Sequence, residues 1–297
     1  MEKLIFDFRV KLYNLLYKII KLQKINEHYH GIIEKYITKK IPNSIRTCNI
    51  SKSNENMNVA NNIWIFWWQG IENAPEVVKI CVERIKKLNN NCKIIILSKD
   101  NYDEYVNLNE NIINKFKNKK IGIAHFSDIV RVNLLTKYGG LWMDATMYET
   151  LEIPEEIFNL NFWSIKSNNR KTKFVSKNRW TTYCIYMKKN NILANFLVNA
   201  FNEYYEKNDK VCHYLFFDYL IDIAYNESKD IKEMIDNCPI NNNECENLRK
   251  HLNEKNNDFT QKMLENNTET FLFKLTYKME FSDDVDTVYN TQIRKEK

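Results

Sequence analysis

Residues that could do chemistry together gather in one stretch: Asp128 and Arg131, a double glycine at Gly139-Gly140, and Asp144 just beyond a short apolar run. At i,i+3 spacing, Asp128 and Arg131 share one face of any helix that carries them. The same stretch presents Ile123, Phe126, Val130, Leu134 and Leu135, so that helix is expected to be buried, and buried charges need partners. The pair is either a structural ion pair or a ligand clamp. Asp144 follows a strand-like run, Leu141 to Met143. A carboxylate at the carboxyl end of a strand in a parallel sheet points into the crevice where such sheets bind ligands. Gly139 and Gly140 allow a tight turn there and the close approach of a ligand to the backbone.

The elements that must hold these groups follow from periodicity and punctuation. Ile63-Trp64-Ile65-Phe66-Trp67-Trp68 reads as a buried strand closed by Gln69-Gly70, Pro75 and Glu76 open a helix to about Leu88, and Lys93 to Leu97 is a second strand. Strand, helix, strand in that order implies a parallel unit and an α/β fold. A helix from Ile121 to about Tyr138 ends at the double glycine. Strand-like stretches at 161 to 166 and 181 to 187 come next, then helices near 191 to 207, 212 to 226, 229 to 236 and 245 to 266. Phe271 to Lys278 looks like a final strand or loop returning to the core. Residues 1 to 41 form an N-terminal helical segment and the polar stretch 42 to 62 a linker. The main domain is 63 to 297, with 63 to 150 as its ligand-binding half and 151 to 297 as its second half.

Transfer of a sugar from a nucleoside diphosphate needs charge neutralisation on the leaving diphosphate, a grip on the nucleoside and an oriented acceptor hydroxyl. Asp128, Arg131 and Asp144 are residues of the right kind. The run Ala124 to Thr146 (AHFSDIVRVNLLTKYGGLWMDAT), taken with Ile63 to Gly70 (IWIFWWQG), resembles the capsular polysaccharide synthesis glycosyltransferases. More distantly it is similar to sugar transferases with a D-x-D motif after a Gly-Gly turn, including the clostridial glucosylating toxins. The resemblance is carried mainly by residues 60 to 150, and Lys274 to Lys278 (KLTYK) echoes the family's C-terminal end.

That resemblance implies an A-type nucleotide-sugar fold, a Rossmann-like mixed sheet flanked by helices, with added N-terminal and C-terminal helices. Donor contacts would come from Trp68 and Gln69 near the base, Asp128 at the ribose or sugar, Arg131 at the sugar or phosphate, and the Gly139-Gly140 turn. Asp144, Ala145 and Thr146 occupy the D-x-D positions, with Asp144 as the candidate ligand of a divalent Mn or Mg ion. The third position is often the direct metal ligand, and here it is Thr146, whose neutral hydroxyl binds a divalent ion less strongly than a carboxylate. Without a metal, protein cations must neutralise the diphosphate. Lys274 and Lys278 are then either those cations or solvated surface lysines.

Asp144, Arg131 and Asp218 are the candidate catalytic residues. Asp218 and Asp222 fall at i,i+4 on an otherwise apolar helix, where Asp218 is an acceptor-side carboxylate or part of a structural ion pair. His213 reads as a helix-start residue and His125 as a neighbour of Asp128. Trp64 and Trp67 read as core, and stacking on a base is assigned to Trp68.

The formal charge of +6 is spread along the chain without a basic arm or a recognisable module, which argues against nucleic acid. Seven cysteines without C-x-x-C spacing read as reduced thiols of a cytoplasmic protein. The basic helix expected over residues 3 to 25 puts Leu4, Phe8, Leu12, Leu15, Leu16, Ile19 and Leu22 on one side. It either packs on its own domain or a second subunit, or lies on an anionic membrane surface at the inner face of the cell membrane. The expected reaction is transfer of a hexose or related sugar to a lipid-linked saccharide with retention of configuration. Sugar-phosphate transfer and a membrane-docked assembly protein without catalysis are the alternatives.

Overall fold

A computed structural model describes residues 2–48, 61–168, 173–265 and 269–296. Three helices come first: α1 (Glu2–Ile20), α2 (Gln23–Thr38) and α3 (Pro42–Thr47). The single helix expected to reach residue 25 is broken at Lys21, whose φ of 54° lies in the left-handed region, so the chain turns and α2 packs back on α1. The stretch expected to be linker begins with α3. Pro42 stands at its first turn, and Glu203 accepts hydrogen bonds from the backbone N–H groups of Asn43 (2.9 Å) and Ser44 (2.8 Å). A carboxylate at a helix N-terminus meets unpaired donors and the positive end of the dipole. Most of the remaining linker stretch lies outside the described residues.

The main sheet starts with β1 (Asn62–Phe66), crosses over through α4 (Glu76–Leu88) and returns as β2 (Lys93–Leu97). Short helices α5 (Tyr102–Tyr105) and α6 (Glu110–Lys117) lead to α7 (Ile123–Tyr138), which feeds β3 (Gly140–Met143). Then come β4 (Met147–Glu149), β5 (Phe162–Ser164) and β6 (Cys184–Met187). The sheet order is β2-β1-β3-β6-β5. β1 pairs in parallel with both β2 and β3, whereas β6 runs antiparallel to β3 and to β5. The fold is thus the expected mixed α/β sheet flanked by helices. Near-continuous apolar runs such as Ile63 to Phe66 are what strands covered on both faces require.

Helices α8 (Ile192–Lys207), α9 (Phe216–Glu227) and α10 (Lys229–Asp236) follow. The helix expected over 245 to 266 is a short turn at Leu248–Lys250 and then α11 (Asp258–Leu264). The intervening HLNEKNN is too polar to bury a continuous helical face, and Asn257 starts α11 as a capping box with Thr260. Finally β7 (Leu272–Lys274) pairs antiparallel with β4, setting Lys274 opposite Met147.

Candidate active site

The crevice lies where the parallel strands β1 and β3 end side by side, Trp64 being in register with Trp142. Beyond their carboxyl ends come Trp67 and Asp144. The double glycine makes the turn into β3 feasible. Gly139 and Gly140 have φ of 70° and 110°, and a Cβ on Gly140 would sit 2.6 Å from the carbonyl oxygen of Asn62. The turn is locked by the Trp64 indole, which donates to the Gly139 carbonyl at 2.9 Å.

Asp144 is the hub. Its Oδ2 accepts from Lys274 Nζ at 2.6 Å, while Oδ1 accepts from the Trp142 indole at 2.9 Å and from Arg131 at 3.3 Å. Burial pushes the Asp144 carboxyl up, but the charges of Lys274 and Arg131 and the hydrogen bonds of Lys274 and Trp142 outweigh it, so its pKa lies below the usual carboxylate range. Arg131, buried on α7, also donates to the carbonyl of Thr182 at 2.7 Å and lies 3.3 Å from Asp128. Its guanidinium packs over the rings of Trp142 and Phe217, an arrangement suited to a planar cation. His125 Nδ1 stands 3.5 Å from Asp128.

Lys274 arrives on β7 and is held over the ring of Tyr183, 5.0 Å from its centroid. One residue on, the N–H of Leu275 donates to the carbonyl of Thr146 at 2.9 Å, which anchors the C-terminal segment to the Asp144 turn. Thr146 and Ala145 are themselves buried. Tyr277 then meets Trp67 edge to face at 5.1 Å, and the Trp67 indole N–H is buried with no acceptor among the described residues.

Next to Phe217, whose ring carries the Arg131 guanidinium, Asp218 lies on α9. The Trp180 indole donates to it at 3.0 Å, and its pKa is pushed up to about 7 by burial, with Asp128 adding to the rise. Asp222, one turn later, pairs with Arg179 instead. His213 lies in the turn that precedes α9, not at its N-cap, which is Leu215: its Nδ1 accepts from the N–H of Leu215 at 3.0 Å, and its Nε2 hydrogen-bonds the Tyr29 hydroxyl at 2.8 Å. Burial lowers its pKa to about 4, so the ring is neutral.

The structure therefore brings together Asp128, Arg131, Asp144 and Lys274, follows them with buried Ala145 and Thr146, and sets Asp218 within electrostatic reach of Asp128 and Arg131. Trp68 goes elsewhere. Its ring is packed among Tyr102, Phe116 and Phe126. Gln69 is exposed, and its carbonyl accepts from the Asn73 side chain. Lys278 is exposed beside its neighbour Tyr277. The sequence reads Trp67 as core and does not predict its contact with Tyr277; the alternation of a strand could have separated Trp67 from Trp68 had the strand's end been known. A cavity of about 350 Å³ is lined by Tyr277, Met279, Phe281 and Tyr289 and does not include Asp144.

Both oxygens of Asp144 are taken by protein donors, and no group of three His, Cys, Asp or Glu that could hold a metal occurs among the described residues. A divalent ion does not fit this donor set.

Fold and site together define an α/β protein with Asp144, Arg131 and Lys274 clustered at the carboxyl end of its parallel strands. The family model described as capsular polysaccharide synthesis protein matches residues 14–293, and the chain belongs to that family. No curated protein matches the chain. The solved structure of PaToxG Glycosyltransferase is similar over 70% of this chain and 83% of its own, at 16% identity and a TM-score of 0.37.

Proposed function

We propose that the protein transfers a hexose or related sugar from a nucleoside diphosphate sugar to a lipid-linked saccharide during capsule or surface polysaccharide assembly, with retention of configuration. The observation that carries this reading is the convergence of Lys274 and Arg131 on Asp144 at the mouth of the sheet crevice. Membership of the capsular polysaccharide synthesis family supports it.

In this reading the bond from the anomeric carbon to the diphosphate oxygen breaks, and the acceptor oxygen bonds the same face. The acceptor proton leaves with the diphosphate. Lys274 and Arg131 supply the positive charge that stabilises the departing diphosphate, the task a metal performs elsewhere. Asp144 keeps both cations in place. Trp67, whose indole N–H meets no acceptor among the described residues, takes the base-side role expected of Trp68, and Asp128 holds the ribose or sugar. Asp218, when ionised, accepts a hydrogen bond from the acceptor hydroxyl and orients it.

The test is hydrolysis and transfer by purified protein against a panel of nucleoside diphosphate sugars, followed by product mass. Loss of activity in Asp144→Asn and Arg131→Ala is expected. Full activity in both would overturn the site, and a phosphodiester product would replace sugar transfer by sugar-phosphate transfer.

A further inference from the structure

Helix α1 carries two apolar faces, and the fold covers one of them. Phe6 is buried, its ring stacked on Tyr36 of α2 at 3.9 Å, while Val10 and Tyr13 lean against the core and Tyr13 meets His28. The opposite face consists of Leu4, Ile5, Phe8, Leu12, Leu15 and Ile19, which occupy about a third of the helix circumference. All six are exposed; Leu4, Phe8 and Ile19 show 75%, 65% and 70% of their surface. Water-facing apolar groups in one continuous stripe mark a contact surface.

The charges around the stripe say what covers it. Lys11 and Lys18 border one edge and Arg9 the other. The two acidic residues of α1 are neutralised by lysines, Asp7 by Lys3 at 3.0 Å and Glu2 by Lys40 at 3.0 Å. Arg9, Lys11 and Lys18 have no acidic partner among the described residues. A two-fold copy of this face would set like charges against each other along both rims. An anionic lipid surface accepts the apolar stripe and the basic rims at once. No helix among the described residues is long and apolar enough to cross a membrane, so the contact is parallel to the surface.

We propose that α1 docks in the surface of an anionic bilayer, its exposed stripe in the acyl boundary and Arg9, Lys11 and Lys18 among the headgroups. The docked helix is tied to the site through α2. Tyr29 hydrogen-bonds His213, and His30 Nδ1 bonds the Tyr219 hydroxyl at 2.7 Å, next to Asp218. Docking thereby holds the Asp218 side of the crevice at the lipid surface, where a lipid-linked acceptor is found. This last consequence rests on the proposed function; the bilayer contact does not.

The experiment is co-sedimentation of the full chain with vesicles of phosphatidylglycerol and phosphatidylcholine, and of phosphatidylcholine alone. Wild type is expected to bind the anionic vesicles. Phe8→Ser with Ile19→Ser weakens partition by about a hundredfold, because two buried apolar side chains are lost. Lys11→Gln with Lys18→Gln weakens it less and reduces its salt dependence. Both variants keep the wild-type melting temperature and the wild-type hydrolysis of a soluble donor. Undiminished binding by the Phe8/Ile19 variant overturns the proposal. So does a wild-type chain that ignores the vesicles and sediments as a dimer which the same variant dissolves. Loss of donor hydrolysis with binding intact touches the proposed function and leaves the docking face standing.

Discussion

Lys274 Nζ and Asp144 Oδ2 lie 2.6 Å apart across 130 residues of sequence. The pair joins the carboxyl end of the central sheet to the returning strand β7, so the cation proposed for the diphosphate is in place before the donor arrives. Replacing Lys274 by Met is expected to lower kcat/KM by about a hundredfold to a thousandfold, the range for removing one preorganised donor at a developing charge. Lys274→Arg retains part of it. EDTA leaves wild-type turnover unchanged, since a lysine holds the oxygen a metal would need. Steady-state kinetics with each variant and chelator check this.

Trp67 and Trp68 are adjacent in sequence but pack on different partners, Trp67 on Tyr277 and Trp68 among Tyr102, Phe116 and Phe126. Trp68→Ala opens a hole among Tyr102, Phe116 and Phe126 and should cost about 3 kcal/mol of stability in a denaturant titration. Trp67→Ala should weaken nucleoside diphosphate binding by about tenfold to a hundredfold, the worth of one base on one aromatic ring, beyond any loss of stability. Calorimetry and unfolding on the same two variants separate the effects.

Asp218 sets a pH dependence of known sign. Its folded pKa of about 7, raised by burial, exceeds the unfolded value of about 3.9. The protonated form is thus favoured in the folded protein, and stability falls as pH rises from about 4 through 7. Asp218→Asn should flatten the melting temperature over that window. Transfer to acceptor should rise with pH through about 7 in wild type as the carboxylate forms, and Asp218→Asn should lose that rise while donor hydrolysis keeps its profile. An unchanged pH profile of transfer would remove Asp218 from the acceptor side.

Gly140→Ala tests the turn that aims Asp144. At a φ of 110°, with the added Cβ 2.6 Å from a backbone oxygen, the substitution should destabilise the fold by about 3 kcal/mol. Thermal unfolding of this variant beside Gly122→Ala, where a Cβ meets nothing within 4 Å, isolates the backbone effect.

By itself the sequence determined the central strands and helices and the near neighbours, but not the break at Lys21 or the short turn at Leu248–Lys250. Continuous apolar runs specified β1, β2 and β3, Pro75-Glu76 opened α4, a long apolar run stopped by Gly139-Gly140 marked α7, and the i,i+3 spacing placed Asp128 beside Arg131. Those are short-range consequences of backbone geometry and burial, so they can be read locally. Tertiary structure decided which charges meet. Only the antiparallel pairing of β7 with β4 brings Lys274 to Asp144 and leaves Lys278 outside, and only the packing beyond β1 decides that Trp67 meets Tyr277 while Trp68 packs among Tyr102, Phe116 and Phe126. The same holds for α1. Its amphipathic pattern was plain, but a helix has more than one apolar stripe, and packing on α2 took the face of Phe6 and left the larger stripe to water.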